Sequence, residues 1–143
     1  MKSYQVTRTI AALPEAIWPV LTDPERLAAP GMGIVSLTGE IRAGARIRLV
    51  SEADPKRSFS IRIDEASAPT RMVWSSGLPF GLFRGVRTFT LTPVAGGTAF
   101  DMREVYTGVM LPLIWPSIPD LQPSFDTFAT GLAEQVEKST CPQ

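Results

Sequence analysis

Between residues 34 and 107 apolar and polar side chains alternate with a period of two, and turn residues interrupt the alternation at short intervals. The segments 34–41, 45–53, 57–66, 70–76, 84–93 and 98–107 are rich in Val, Ile, Thr and Phe. They are separated by Arg42-Ala43-Gly44, Asp54-Pro55, Ala68-Pro69, the run from Gly77 to Gly81, and Ala95-Gly96-Gly97. Connections this short cannot carry a crossover, so the pattern predicts a meander of antiparallel hairpins. An earlier strand is predicted from Tyr4 to Ile10, where Tyr4, Val6, Arg8 and Ile10 alternate with Gln5, Thr7 and Thr9.

The period changes on either side of the meander. Pro14 suits the first turn of a short helix carrying Ile17, Trp18 and Leu21, with Pro19 expected to kink it or end it early. Asp23-Pro24-Glu25 combines a cap, a first-turn proline and an early acidic residue, so a second short helix starts there and Pro30-Gly31 closes it. Trp18 is read as packing for the first of these helices. Near the other end, Leu121, Phe125, Phe128, Leu132 and Val136 recur at helical spacing, while Thr127, Glu134, Glu137 and Lys138 fall on the opposite side. Pro123 has no N–H to donate and belongs in a first turn, which puts the helix start near Asp120. Seven strands and one long helix can bury the helix stripe only by curving the sheet around it. The expected class is therefore α+β, a curved seven-stranded antiparallel sheet around a long C-terminal helix, with two short helices after the first strand. No repeat or second hydrophobic pattern divides the chain, so residues 1–143 are read as a single domain.

Composition narrows the function by exclusion. Fourteen basic residues balance fourteen acidic ones with no block of either sign, so neither the basic stripe of a nucleic-acid binder nor a polybasic membrane face is present. The sequence contains no histidine, which removes imidazole-based triads and most zinc and non-haem iron sites; no metal and no cofactor is called for. The single cysteine, Cys141, can form no internal disulfide. The amino terminus lacks the apolar core of a signal peptide, and the apolar run Val109–Ile118 is short and broken by Pro112 and Pro116. No integral membrane association and a cytoplasmic location are the expectations.

Several stretches carry a resemblance when taken in order. They are Leu13-Pro14-Glu15-Ala16-Ile17-Trp18 with Leu21-Thr22-Asp23-Pro24, Gly39-Glu40-Ile41-Arg42-Ala43-Gly44, Gly81-Leu82-Phe83-Arg84-Gly85 to Phe89, Gly97-Thr98-Ala99-Phe100, and Glu104-Val105-Tyr106-Thr107-Gly108. The sequence resembles the START-like SRPBCC superfamily of polyketide cyclases/dehydrases and lipid-transport domains, in its bacterial form. The resemblance implies the helix-grip fold and an internal cavity for a small hydrophobic ligand, with the long helix as one wall. It does not imply one activity, because the superfamily hosts binding proteins and enzymes on one scaffold. Two features depart from the bacterial pattern. Leu27-Ala28-Ala29-Pro30 stands near a Trp-Asn-Pro-like segment, and Arg87 near a histidine, so a mechanism that needs that imidazole is not carried over.

Strand parity singles out one hairpin. Phe100, Met102, Glu104 and Tyr106 share a strand face, and the apolar pair marks that face as inward. A two-residue turn at Ala95-Gly96 sets Leu91 against Phe100, Phe89 against Met102 and Arg87 against Glu104. A turn at Gly96-Gly97 shifts the pairs but keeps the faces. Arg87 and Glu104 are then an inward ion pair. It can be a satisfied structural pair, an anchor for a ligand's carboxylate, hydroxyl or carbonyl, or acid–base equipment with Glu104 as proton carrier and Tyr106 or Arg87 polarising a carbonyl. The expected pocket is walled by Trp74, Phe89, Met102, Phe125 and Phe128, with Arg87, Glu104 and Tyr106 as polar contacts. The first reading is a binding or carrier protein for a small hydrophobic or amphipathic ligand. The alternatives are a polyketide cyclase/dehydratase-like enzyme, a lyase or isomerase without metal, and a protein-interaction module. The last rests on two unusually apolar loops, 76–83 and 109–116, which are expected to form either a lid over the pocket or a homodimer contact.

Overall fold

The structure, a computed structural model, describes residues 1–140 of the chain; Cys141 lies outside the described residues. Seven strands form one antiparallel sheet in the order β1-β7-β6-β5-β4-β3-β2. They are β1 (Lys2–Ile10), β2 (Ile34–Thr38), β3 (Arg46–Ser51), β4 (Asp54–Ser67), β5 (Arg71–Gly77), β6 (Arg84–Val94) and β7 (Gly97–Thr107). From β2 to β7 every neighbour in sequence is a neighbour in the sheet, the meander that the short turns require; β1 closes the far side by pairing with β7. Two short helices, α1 (Pro14–Leu21) and α2 (Pro24–Leu27), follow β1. A third, α3 (Leu111–Ile114), follows β7, and the long helix α4 (Gln122–Thr140) ends the described chain.

The core lies between the concave face of the sheet and α4. Phe125, Phe128, Ala129, Leu132, Ala133 and Val136 give α4 its buried stripe, against Ile10, Phe89, Leu91, Phe100 and Met102 from the sheet. Gly131 brings this helix close to the loop after α2: a Cβ there would stand 2.4 Å from the Gly31 carbonyl oxygen and 2.7 Å from the Met32 sulfur. The helix also ties down the start of the chain, where Glu137 accepts a hydrogen bond from the Ala11 N–H at 2.9 Å.

The structure differs from the sequence expectations at identifiable points. Helix α1 runs two residues past Pro19, which forfeits a single hydrogen bond while Ile17, Val20 and Leu21 are fully buried. Strand β2 ends at Thr38, since Gly39 turns with φ 108°. The β3–β4 turn is at Glu52-Ala53, with Ser51 opposite Asp54, so Asp54-Pro55 opens β4 instead of ending β3. Pro55 fits there because the pairing is irregular between Leu49 and Ser51, where its missing N–H leaves no ladder bond unmade. Helix α4 starts at Gln122, with the Asp120 carboxylate accepting the Gln122 N–H at 3.1 Å.

Candidate functional site

The hairpin of β6 and β7 takes the register of a turn at Ala95-Gly96, one of the two that parity allows. Val94 faces Gly97 across a two-residue turn at Ala95-Gly96, with Gly96 at φ 85°, and no bulge interrupts the ladder. Leu91 is therefore opposite Phe100, Phe89 opposite Met102, and Arg87 opposite Glu104. The row continues on both sides: Trp74 of β5 faces Arg87, and Tyr4 of β1 faces Glu104. Four neighbouring strands thus align Trp74, Arg87, Glu104 and Tyr4 across the concave face.

In this row Arg87 and Glu104 form an ion pair at 3.3 Å, with side chains only 19% and 13% exposed. The guanidinium also lies over the Phe125 ring, 4.8 Å from its centroid, so α4 supplies a cation–π contact to the sheet's charged row. The Tyr106 hydroxyl donates to the same Glu104 oxygen that Arg87 reaches. Burial, and then the Glu104 carboxylate beside it, push the Tyr106 phenol well above its ordinary range, so it stays a protonated donor. Gly85 makes room for this arrangement. It lies opposite Tyr106, and a Cβ there would come within 3.3 Å of the tyrosine ring.

A cavity of ≈ 490 Å³ opens against these residues, a size in the range of small-molecule sites. Of the residues expected from the sequence, Trp74, Arg87, Met102, Glu104, Tyr106, Phe125 and Phe128 line it. Phe89 does not. It is buried behind the wall, with its ring centroid 4.8 Å from Trp74 and 6.1 Å from Phe128, and it supports the wall as core. Sequence reasoning missed the mouth residues Ser51, Asp54, Arg57, Ser58 and Ser60. The pairing of β3 with β4 is irregular beside them, between Leu49 and Ser51, and period-two parity cannot be carried through such a break. Asp54 and Arg57 pair there at 3.5 Å.

The two apolar loops meet. The Met110 N–H donates to the Leu82 carbonyl at 2.9 Å, and Phe83 stacks on Tyr106 with centroids 6.1 Å apart. Leu78, Phe83, Ile114 and Ile118 line the cavity. Trp115 is held beside it between Tyr4 (5.7 Å) and Tyr106 (5.3 Å), with the Lys2 ammonium 5.8 Å from its centroid. Phe80, Val109 and Leu113 remain outside, 99%, 81% and 76% exposed. Trp18 is partly buried against the core, as read from the sequence.

Among the described residues no group of three or more His, Cys, Asp or Glu side chains is placed to hold a metal ion, and no helix is long and apolar enough to cross a membrane.

A curved sheet that grips a long helix and leaves a lined cavity between them defines a helix-grip protein. The chain belongs to the family described as polyketide cyclase / dehydrase and lipid transport, whose model matches residues 1–137. Solved structures share the fold at low identity. TTHA0849 from Thermus thermophilus is 23% identical with a TM-score of 0.74, over 98% of this chain and 100% of that one. DynU16, a putative protein in the dynemicin biosynthetic locus, is 20% identical with a TM-score of 0.70, over 97% of this chain and 48% of that one. A point mutant of Thalictrum flavum norcoclaurine synthase, in complex with a transition-state analogue, is 14% identical with a TM-score of 0.71, over 98% and 96%. No curated protein matches the sequence.

Proposed function

We propose that the protein binds or carries a small hydrophobic or amphipathic molecule in the cavity between the sheet and α4. The observation behind this reading is the lining itself: Trp74, Met102, Phe125 and Phe128 offer apolar wall, and one polar row of Arg87, Glu104 and Tyr106 is set within it. An apolar cavity with a few convergent polar groups selects a ligand by burial and orients it by hydrogen bonds. An environment-sensitive apolar dye should bind with one-to-one stoichiometry and be displaced by fatty or polycyclic compounds. Fluorescence that rises linearly with dye, without saturation, would refute the reading.

A second reading is a cyclase/dehydratase-like enzyme with Glu104 as proton carrier. It draws on one feature, a carboxylate inside an apolar cavity flanked by a hydroxyl and a guanidinium, which is equipment for proton transfer. The variant Glu104→Gln separates the two. A carrier keeps saturable dye binding with altered affinity, whereas an enzyme loses turnover of any substrate found for it.

A further inference from the structure

The outer face of the sheet, turned away from α4, carries an unbalanced cluster of arginines. Arg46 and Arg48 alternate along β3 with Ile47 and Leu49, which are buried in the core, so both guanidinium groups project outward. The register places Arg62 of β4 directly opposite Arg46, and sets Thr38 of β2 and Ser60 of β4 on the two sides of Arg48. The sequence disperses these residues between positions 38 and 62, and three neighbouring strands gather them into one patch. A shallow hollow of ≈ 310 Å³ lies there, lined by Thr38, Gly39, Arg46, Ile47, Arg48 and Ser60.

Other arginines of the sheet have a carboxylate: Arg57 has Asp54, Arg71 has Glu65, and Arg62 and Arg84 share Asp64. Among the described residues neither Arg46 nor Arg48 has an ion pair, and Arg48 donates only to the Ser58 hydroxyl, at 3.0 Å. Like charges directly opposed on a sheet are destabilising, so Arg46 against Arg62 is a cost that the fold itself does not require.

The spacing and the charge select the ligand. Side chains two positions apart on one strand start about 7 Å apart, so the Arg46 and Arg48 forks can converge on one small anion. A carboxylate is saturated by a single fork, whereas a phosphate monoester offers three oxygens, enough for both forks and the flanking hydroxyls. Its double negative charge matches the patch, where the three guanidinium groups of Arg46, Arg48 and Arg62 face the one carboxylate of Asp64.

We propose that this hollow on β2, β3 and β4 is a binding site for a phosphate monoester dianion, held by Arg46 and Arg48 with the Thr38 and Ser60 hydroxyls at its edges. It lies on the opposite face of the sheet from the cavity and does not rest on the ligand reading above. Ser60 alone borders both, where the β4–β5 ladder has already stopped at Arg62.

The test titrates methyl phosphate, methyl sulfate and acetate at constant ionic strength and about pH 7, where a phosphate monoester is mostly a dianion. Binding is followed by the arginine Nε–Hε signals in NMR. Methyl phosphate should give saturable shifts at Arg46 and Arg48 but not at Arg103, an exposed arginine of β7 that serves as control. It should bind roughly tenfold more tightly than methyl sulfate, which has the same shape and one charge fewer, with acetate weaker still. Arg48→Gln and Arg46→Gln should each weaken methyl phosphate by about tenfold or more. Without ligand, Arg46→Gln should raise the melting temperature by about 1–3 °C, because it removes the opposed like charge. A fall would make Arg46 a support of the sheet and overturn the site. Vesicles carrying phosphatidic acid, against vesicles of equal surface charge carrying phosphatidylglycerol, distinguish the sources of the monoester. Cosedimentation that needs phosphatidic acid and is lost in Arg46→Gln assigns the site to a lipid headgroup, and methyl phosphate binding without cosedimentation assigns it to a soluble monoester. Shifts spread evenly over exposed arginines, or a methyl phosphate affinity unchanged in both variants, would overturn the site. Equal affinity for methyl sulfate would overturn the monoester assignment.

Discussion

At the scale of single residues the polar row is a coupled unit, and its energetics should show that coupling. Arg87 and Glu104 are mostly buried, so removing either partner strands the other's charge. Arg87→Met and Glu104→Gln should each destabilise by about 3 kcal/mol, less as far as water reaches the cavity. The double variant should recover part of the loss, and a double-mutant cycle in chemical denaturation measures how much. Strictly additive single effects would mean that the pair does not interact. Tyr106 gives an independent handle through pH. Its phenol is held protonated in the native state by burial and by Glu104, while in the unfolded chain it ionises near 10. The raised native value means that its contribution is fully present below about pH 10 and is lost as pH climbs above that, because only the unfolded state releases the proton. Stability measured against Tyr106→Phe should therefore show a constant wild-type advantage of about 1 kcal/mol below pH 10, from the hydrogen bond to Glu104. That advantage should shrink steadily above it. A difference that stays flat through pH 11 would contradict the assigned environment.

At the scale of elements, what the sequence revealed depended on whether a regular period ran unbroken. The β6–β7 hairpin has no bulge, so parity placed Arg87, Glu104 and Tyr106 on one face. The two-residue turn at Ala95-Gly96, one of the two turns open in the sequence, set Arg87 against Glu104. The α4 stripe was legible for the same reason, in the helical period. Parity gave only the face for Phe89, however, and depth behind Trp74 depends on how neighbouring strands pack. The lining residues between Ser51 and Ser60 were hidden because β3 and β4 pair irregularly there. The segment 109–116 has too many prolines for a clear period, yet the structure folds it into α3 and a following 3-10 turn that sets Ile114 against the cavity. Trp115 fastens this segment to β1 and β7 through Tyr4 and Tyr106. If the segment is a lid, Trp115→Ser should quicken dye release in stopped-flow while the mass on a sizing column stays constant. A change of mass with unaltered release would make it a contact between copies instead.

At the scale of the whole molecule, a sheet wrapped around a helix can fill its interior with side chains or leave part of it open, and the position of two phenylalanines tells these apart. Phe100 and Phe128 stack on each other at 6.2 Å and are both buried, but only Phe128 borders the cavity. Enlarging Phe100 to tryptophan forces extra atoms into packed core, which typically costs about 1–3 kcal/mol. Enlarging Phe128 sends the added ring into open volume, so Phe128→Trp should lose well under about 1 kcal/mol in the same denaturation assay. The space it takes is taken from the ligand, and dye affinity should fall by about tenfold or more while Phe100→Trp, where it folds, leaves affinity closer to wild type. The contrast between the two substitutions carries the meaning, since each alone could be explained by local strain. Should Phe128→Trp prove as destabilising as Phe100→Trp and leave dye affinity untouched, the interior beside α4 is packed solid in solution, and the carrier reading falls with it.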